Sequence, residues 1–291
     1  MSRRRFSRCP LEPDTRDKFQ PASGPRTEAG PGTTLGRDGI IGALASALEP
    51  LAYVHALWEG GAAAFGRLDQ WSDIDLYADV DDARADDAVR VIEGALASLA
   101  PIEIKYLPPV PPPGNYVHLV YRLSGTHKCL LIDIAVVKHS SPDKFLEPEI
   151  HGQSRFIFNK GGAVTCPPAD RAGLAAAMRA SLAKTRLRLD LLSGFVAKEL
   201  ARGNYIEALD IYTRLVLGSL VEALRARHDP IRYNFGPRYL RYHLPADAVA
   251  KLQDLYFVRN PKDLEAKCAR AEAWYRGLVG ELGQGPDSEL G

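Results

Sequence analysis

The chain has 291 residues, 46% of them hydrophobic and 25% charged, with a formal net charge of +1. That length accommodates two ordinary domains, each with its own core, and the composition is that of a soluble globular protein. Near-neutrality excludes a general electrostatic pull toward nucleic acid or anionic membrane, and no apolar stretch is long enough to span a bilayer. Cys9, Cys129, Cys166 and Cys268 show no CxxC pairing and no metal-ligand spacing, so they read as reduced thiols of a cytoplasmic protein. The basic start, Met1 to Phe6, lacks the apolar run of a signal peptide.

Residues 1–36 are rich in Arg, Pro, Gly, Ser and Thr without apolar period, which predicts a disordered tail. From Asp38, the helical spacing of Ile40, Ile41, Leu44 and Leu48 predicts a short amphipathic helix ended by Pro50. Tyr53 to Trp58 reads as an apolar strand entering a Gly60-Gly61 turn. Ile74 to Val80 is a second strand. Asp81-Asp82 is expected to cap a helix from Ala83 to Leu99, with Val89, Ile92, Leu96 and Leu99 as its buried stripe. After Pro101 come a strand over 102–107 and a proline run, 108–114, that cannot pair in a sheet.

Residues 115–123 and 128–137 read as an antiparallel hairpin, and Phe156 to Val164 as a smaller hairpin turning at 159–162. The pattern changes at Pro167-Pro168. A helical period runs from Asp170 to about Arg202 and resumes from Tyr205 to Arg227, with further helices near 247–258 and 261–279. The expectation is an α+β protein. A mixed β-sheet domain with flanking helices over 37–165 is followed by a C-terminal α-helical bundle over 166–282 and a frayed tail over 283–291. The histidines show no metal-like spacing, and the Arg- and Tyr-rich stretch Arg232 to His243 reads as an inter-helix loop.

Asp73 and Asp75 are the most informative residues. In an extended chain they project to one face while Ile74 and Leu76 face the core. Two adjacent anions repel unless a cation lies between them, and the glycines ahead of them let backbone amides approach a phosphate. Asp133 lies within the otherwise apolar run Leu130 to Val137, where an isolated ionised acid is costly unless it is paired or coordinated.

The run from Glu59 to Leu76, a glycine turn followed by acid–apolar–acid, resembles the nucleotidyltransferase superfamily of polymerase β-like fold. More narrowly, it is similar to bacterial antibiotic adenylyltransferases. The resemblance implies that Asp73, Asp75 and Asp133 bind Mg2+ and that Asp133 is the third acid. It also implies that Gly60, Gly61, Ala62 and Arg67 meet the phosphates of ATP. Members usually carry Ser in the turn; here Gly61 or Ala62 stands there, depending on register, and Ser72 is the nearest hydroxyl. From the helical half, Lys198 is a candidate phosphate contact and Glu207 a candidate general base.

The implied reaction moves a nucleoside monophosphate from a nucleoside triphosphate to a hydroxyl of a small-molecule acceptor, such as an aminoglycoside or lincosamide antibiotic. Two other readings stay open: an adenylyltransferase that modifies a toxin partner, and a non-catalytic nucleotide-binding protein of the same fold.

Overall fold

The computed structural model describes residues 35–110 and 115–282, together with the backbone of Ser7–Arg8. The expected tail over 283–291, the end of the proline run and nearly all of the expected tail over 1–36 lie outside the described residues. The chain divides into two compact units, residues 1–169 and 170–291.

The described residues of the first unit form a mixed α+β structure. In chain order they are β1 (Ser7–Arg8), α1 (Arg37–Leu48), β2 (Val54–Glu59), α2 (Gly61–Ala64), β3 (Ile74–Val80), α3 (Ala85–Leu99), β4 (Ile102–Tyr106), β5 (Tyr116–Leu123), β6 (Ile132–Lys138), α4 (Pro148–His151) and β7 (Arg155–Asn159). The sheet order is β1-β7-β2-β3-β6-β5-β4. Only β3 and β6 run parallel; the other pairs are antiparallel.

Alternation along the central strands gives the sheet two different faces. Ile74, Leu76, Ala78 and Val80 of β3 and Ile132, Ile134 and Val136 of β6 pack with Ile40, Leu44 and Leu48 of α1 and Ile92 and Leu96 of α3. The residues between them, Asp75, Tyr77, Asp79 and Asp133, therefore point to the opposite face. A smaller cluster of Ala56, Trp58, Leu146, Phe156 and Val164 covers part of that face, with Tyr77 packed against it. The acids of β3 and β6 sit on this second face because their strands bury the first.

Several local expectations differ from the structure. Asp81 and Asp82 do not cap α3; Asp81 Oδ1 lies 2.7 Å from His55 Nε2, while Asp82 accepts hydrogen bonds from the Ser140 amide and hydroxyl. Long-range partners took the carboxylates that a local cap would have used. The second arm of the small hairpin is absent, since 163–164 is not a strand; β7 instead lies along β2. Ser7–Arg8 pairs with β7, so at those two residues the chain is a strand, not a disordered tail. Cys166 is disulfide-bonded, which departs from the reading of four reduced thiols. Among the described residues Cys129 and Cys268 are free, and burial, aided by Glu272, pushes the Cys268 thiol up to about 12.

The described part of the second unit is helical: α5 (Arg171–Leu192), α6 (Gly194–Ala201), α7 (Tyr205–Ile211), a π-helical stretch (Tyr212–Leu217), α8 (Gly218–His228), α9 (Leu240–His243), α10 (Ala246–Tyr256) and α11 (Pro261–Leu282). Leu189, Val196, Tyr212, Val216, Leu220, Leu224, Leu252, Leu264 and Tyr275 belong to its core. The long helix expected from Asp170 to Arg202 is divided at Ser193 into α5 and α6. Buried Arg225 donates from Nε to Gly236 O (2.6 Å) and from Nη2 to Arg238 O, which ties the Arg- and Tyr-rich loop to α8.

Candidate active site

The parallel pairing of β3 with β6 sets Asp75 directly opposite Asp133, within the register Ile74 to Ile132 and Leu76 to Ile134. Adjacent strands lie about 4.8 Å apart, so two carboxylates distant in sequence become neighbours on one face. Asp73 stands one residue before β3, where the strand is held by the Ile74 amide donating to Leu131 O (2.8 Å). All three acids are half-buried. On β5, His118 Nε2 donates to Asp133 Oδ1 (2.7 Å) and fixes that carboxylate from the strand on the other side of β6.

The glycine turn is fitted to the acid strand. The Gly60 amide donates to Asp75 O (3.0 Å), so that amide is spent on the strand and not on a ligand. Gly61 has φ +51, and a Cβ added there would lie 1.8 Å from Asp75 Oδ2. No side chain fits at Gly61. The choice left open by the sequence is therefore narrowed sterically: Gly61 is closed to a side chain by Asp75, which leaves Ala62 as the turn position for a hydroxyl. The amides of Gly61 and Ala62 open α2 and are not consumed by the helix itself.

A buried ion-pair cluster fixes the turn from behind, and the sequence reading missed it. Glu59, 1% exposed at the end of β2, pairs with Arg37 and lies 3.5 Å from Arg155. Arg37 also donates to Asp73 O. One arginine thus links α1, the strand before the glycines and the residue that begins the acid pair. The signal was available: an acid at the end of the apolar run Val54 to Trp58 invites the same question as Asp133. Arg37→Met is expected to destabilise the chain by about 3 kcal/mol, because it strips a partner from a buried charge. Urea denaturation checks this; a loss under about 1 kcal/mol would show that Arg155 alone satisfies Glu59.

Arg67 is half-buried, its guanidinium 4.8 Å above the Phe65 ring, and its amide donates to Ala62 O (2.9 Å). Ser72 has a structural role: its hydroxyl donates to Asp69 Oδ1 (3.0 Å) and accepts from the Asp69 amide (2.9 Å). Next to it, exposed Trp71 meets His127 edge-on at 5.4 Å, which gives the loops beside the acids an aromatic rim.

Glu207 and Lys198 belong to the second unit. Glu207 is exposed in the first turn of α7, where a negative charge favours the helix N-terminus. Lys198 lies 3.4 Å from buried Glu199 and over the Phe195 ring at 3.7 Å. Glu199 also accepts from Asn204 Nδ2 (2.7 Å), a hydrogen bond that holds its carboxyl below the usual range. Both residues thus have local structural roles at the α6–α7 junction.

No protein-family model matches the chain, and no curated protein matches it. Among solved structures, the chain is similar to an aminoglycoside 6-adenyltransferase from Bacillus subtilis at 12% identity. The match covers 86% of this chain and 92% of that chain, with a TM-score of 0.33.

Proposed function

We propose that this chain is a Mg2+-dependent nucleotidyltransferase that moves a nucleoside monophosphate, AMP from ATP, to a hydroxyl of a small-molecule acceptor. An aminoglycoside or lincosamide fits that acceptor class, which would make the activity one of antibiotic resistance. The observation that carries the reading is the Asp75–Asp133 register, with the Gly61 backbone against the Asp75 carboxylate.

Carboxylate oxygens are the hard donors that Mg2+ prefers, so Asp73, Asp75 and Asp133 suit it and would hold it. When bound, the ion neutralises phosphoryl oxygens and makes an acceptor hydroxyl easier to deprotonate. The chain's own contribution is positioning. The Gly61 and Ala62 amides, with Arg67 nearby, meet the β- and γ-phosphates. Asp133 takes up the proton of the acceptor hydroxyl, and His118 keeps that carboxylate turned toward its work by holding Oδ1.

A second reading, a nucleotide-binding protein without turnover, is favoured by one feature: Ala62 supplies no hydroxyl to the turn. Incubation with Mg2+ and labelled ATP, CTP, GTP or UTP across a panel of hydroxylated acceptors separates the two. Release of pyrophosphate with labelled acceptor supports the transferase. Stable nucleotide binding without pyrophosphate supports the second reading, and labelling of a protein in place of a small molecule supports a protein-modifying enzyme. Ala62→Ser is expected to tighten triphosphate binding by about 5-fold, the worth of one added hydrogen bond. Calorimetric titration checks it, and unchanged affinity would move the phosphates away from this turn.

A further inference from the structure

At the opposite end of β3, four residues and about 13 Å from Asp75, three other side chains converge. His55 comes from β2, Asp79 from β3 and His139 from the residue after β6; one potential ligand atom of each lies within 4.8 Å of the others. We propose that His55, Asp79 and His139 form a binding site for one borderline divalent cation, Zn2+ by its ligand chemistry.

Two imidazole nitrogens and one carboxylate oxygen, with a fourth position open, are a ligand set characteristic of zinc. The strands are shaped to present it. The pairing of β2 with β3 shifts between Val54 and Ala56, so His55 is the extra residue of a β-bulge, a device that re-aims a side chain. Its ring lies 4.2 Å from the His139 ring, so both imidazoles open onto one space. Asp79 is fully buried. Lys144 Nζ takes its Oδ2 (2.5 Å), while Oδ1 faces His139 Nδ1 (2.6 Å).

The surrounding contacts match a second layer of support. His55 Nε2 donates to Asp81 Oδ1 (2.7 Å), which leaves Nδ1 as its lone-pair nitrogen, the carboxylate–histidine arrangement that orients metal ligands. Lys144 also donates to Lys138 O (3.1 Å) and His139 O (2.9 Å), fixing the segment that carries His139. Within the cluster the Lys144 ammonium meets one Asp79 oxygen, while the other Asp79 oxygen and the two rings face one another. On binding, His139 Nδ1 offers its lone pair to the cation while the ring proton is carried on Nε2, so the imidazole stays neutral. His139, with a side chain 44% exposed, can swing outward to give the wider separation that two ligands of one ion need.

The test is competition between the purified full chain and a chromophoric zinc chelator. Asp75→Asn is used as the background so that the acid trio is disabled. The expected result is one equivalent of Zn2+ per chain. His55→Ala and His139→Ala should each weaken binding at least about 100-fold, and Asp81→Asn about 10-fold. Co2+ in place of Zn2+ should give the visible absorption of a four-coordinate site. Imidazole NMR of the unmodified chain covers the case of a variant that misfolds: the His55 and His139 rings should shift on addition of Zn2+. No uptake, uptake unchanged by His139→Ala, or unmoved imidazole signals would overturn the site and leave the cluster a metal-free hydrogen-bond network.

Discussion

Replacing Asp75 with Asn is expected to slow nucleotidyl transfer by about 1000-fold or more, with the fold as stable as before to within about 1 kcal/mol. Asn keeps the shape of Asp and the half-buried position between β2 and β6, so neither strand needs to move. What it loses is a charge. In the folded chain Asp75 faces Asp133 across a parallel ladder, where the two acids can share one cation. Removing one of the two charges weakens the proposed Mg2+ site without removing a packing contact. Unchanged stability with lost turnover is therefore the signature of a functional acid. Rate and urea denaturation should be measured on the same preparation; full activity would remove Asp75 from the chemistry.

Gly61→Ala is expected to be damaging in a different way. The residue sits at φ +51, where a non-glycine costs about 1–2 kcal/mol. Its new Cβ would meet Asp75 Oδ2 at 1.8 Å and Cγ at 2.4 Å. Either the carboxylate rotates away or the turn opens, and each outcome misplaces a reacting group by an ångström or more. Losses of about 100-fold in kcat follow from displacements of that size, together with a stability loss of about 2 kcal/mol. Gly66→Ala supplies the control. Gly66 is also left-handed, at φ +66, but a Cβ there meets nothing within 4 Å. It should share the backbone cost and keep the activity. If the two variants behave alike, the contact between Gly61 and Asp75 has no functional weight.

The contrast between these glycines shows where the sequence was readable. β3, from Ile74 to Val80, was visible because its apolar residues alternate, and alternation assigns the acids to one face. That Asp133 stands opposite Asp75, and not one residue away, depends on a register between strands far apart in the chain. Periodicity carries no information about that. The turn around Gly61 was visible as a turn, but the steric reason for glycine lies in a side chain fourteen positions later.

The Arg37–Glu59–Arg155 cluster and the His55–Asp79–His139 cluster were hidden for the same reason. Each gathers residues from elements that meet only in the folded unit: the acid Glu59 was legible at the end of an apolar strand, but no spacing announced its arginine partners or the histidine pair. Asp81 and Asp82 misled in the opposite sense: their position before a helix suggested caps, whereas tertiary partners, His55 and Ser140, claimed them. The division of the expected long helix at Ser193 was marked in the sequence only by the pair Ser193-Gly194, a weak breaker, since Ser193 itself keeps helical φ and ψ.

Binding of Mn2+ in place of Mg2+, followed by the EPR signal of the free ion with a non-hydrolysable ATP analogue present, tests the three-acid site without requiring the acceptor. The unmodified chain should take up Mn2+ and nucleotide together, and His139→Ala should do the same. Asp75→Asn and Asp133→Asn should each abolish the coupled uptake. Equal uptake by the unmodified chain and both acid variants would contradict a metal site at Asp73, Asp75 and Asp133.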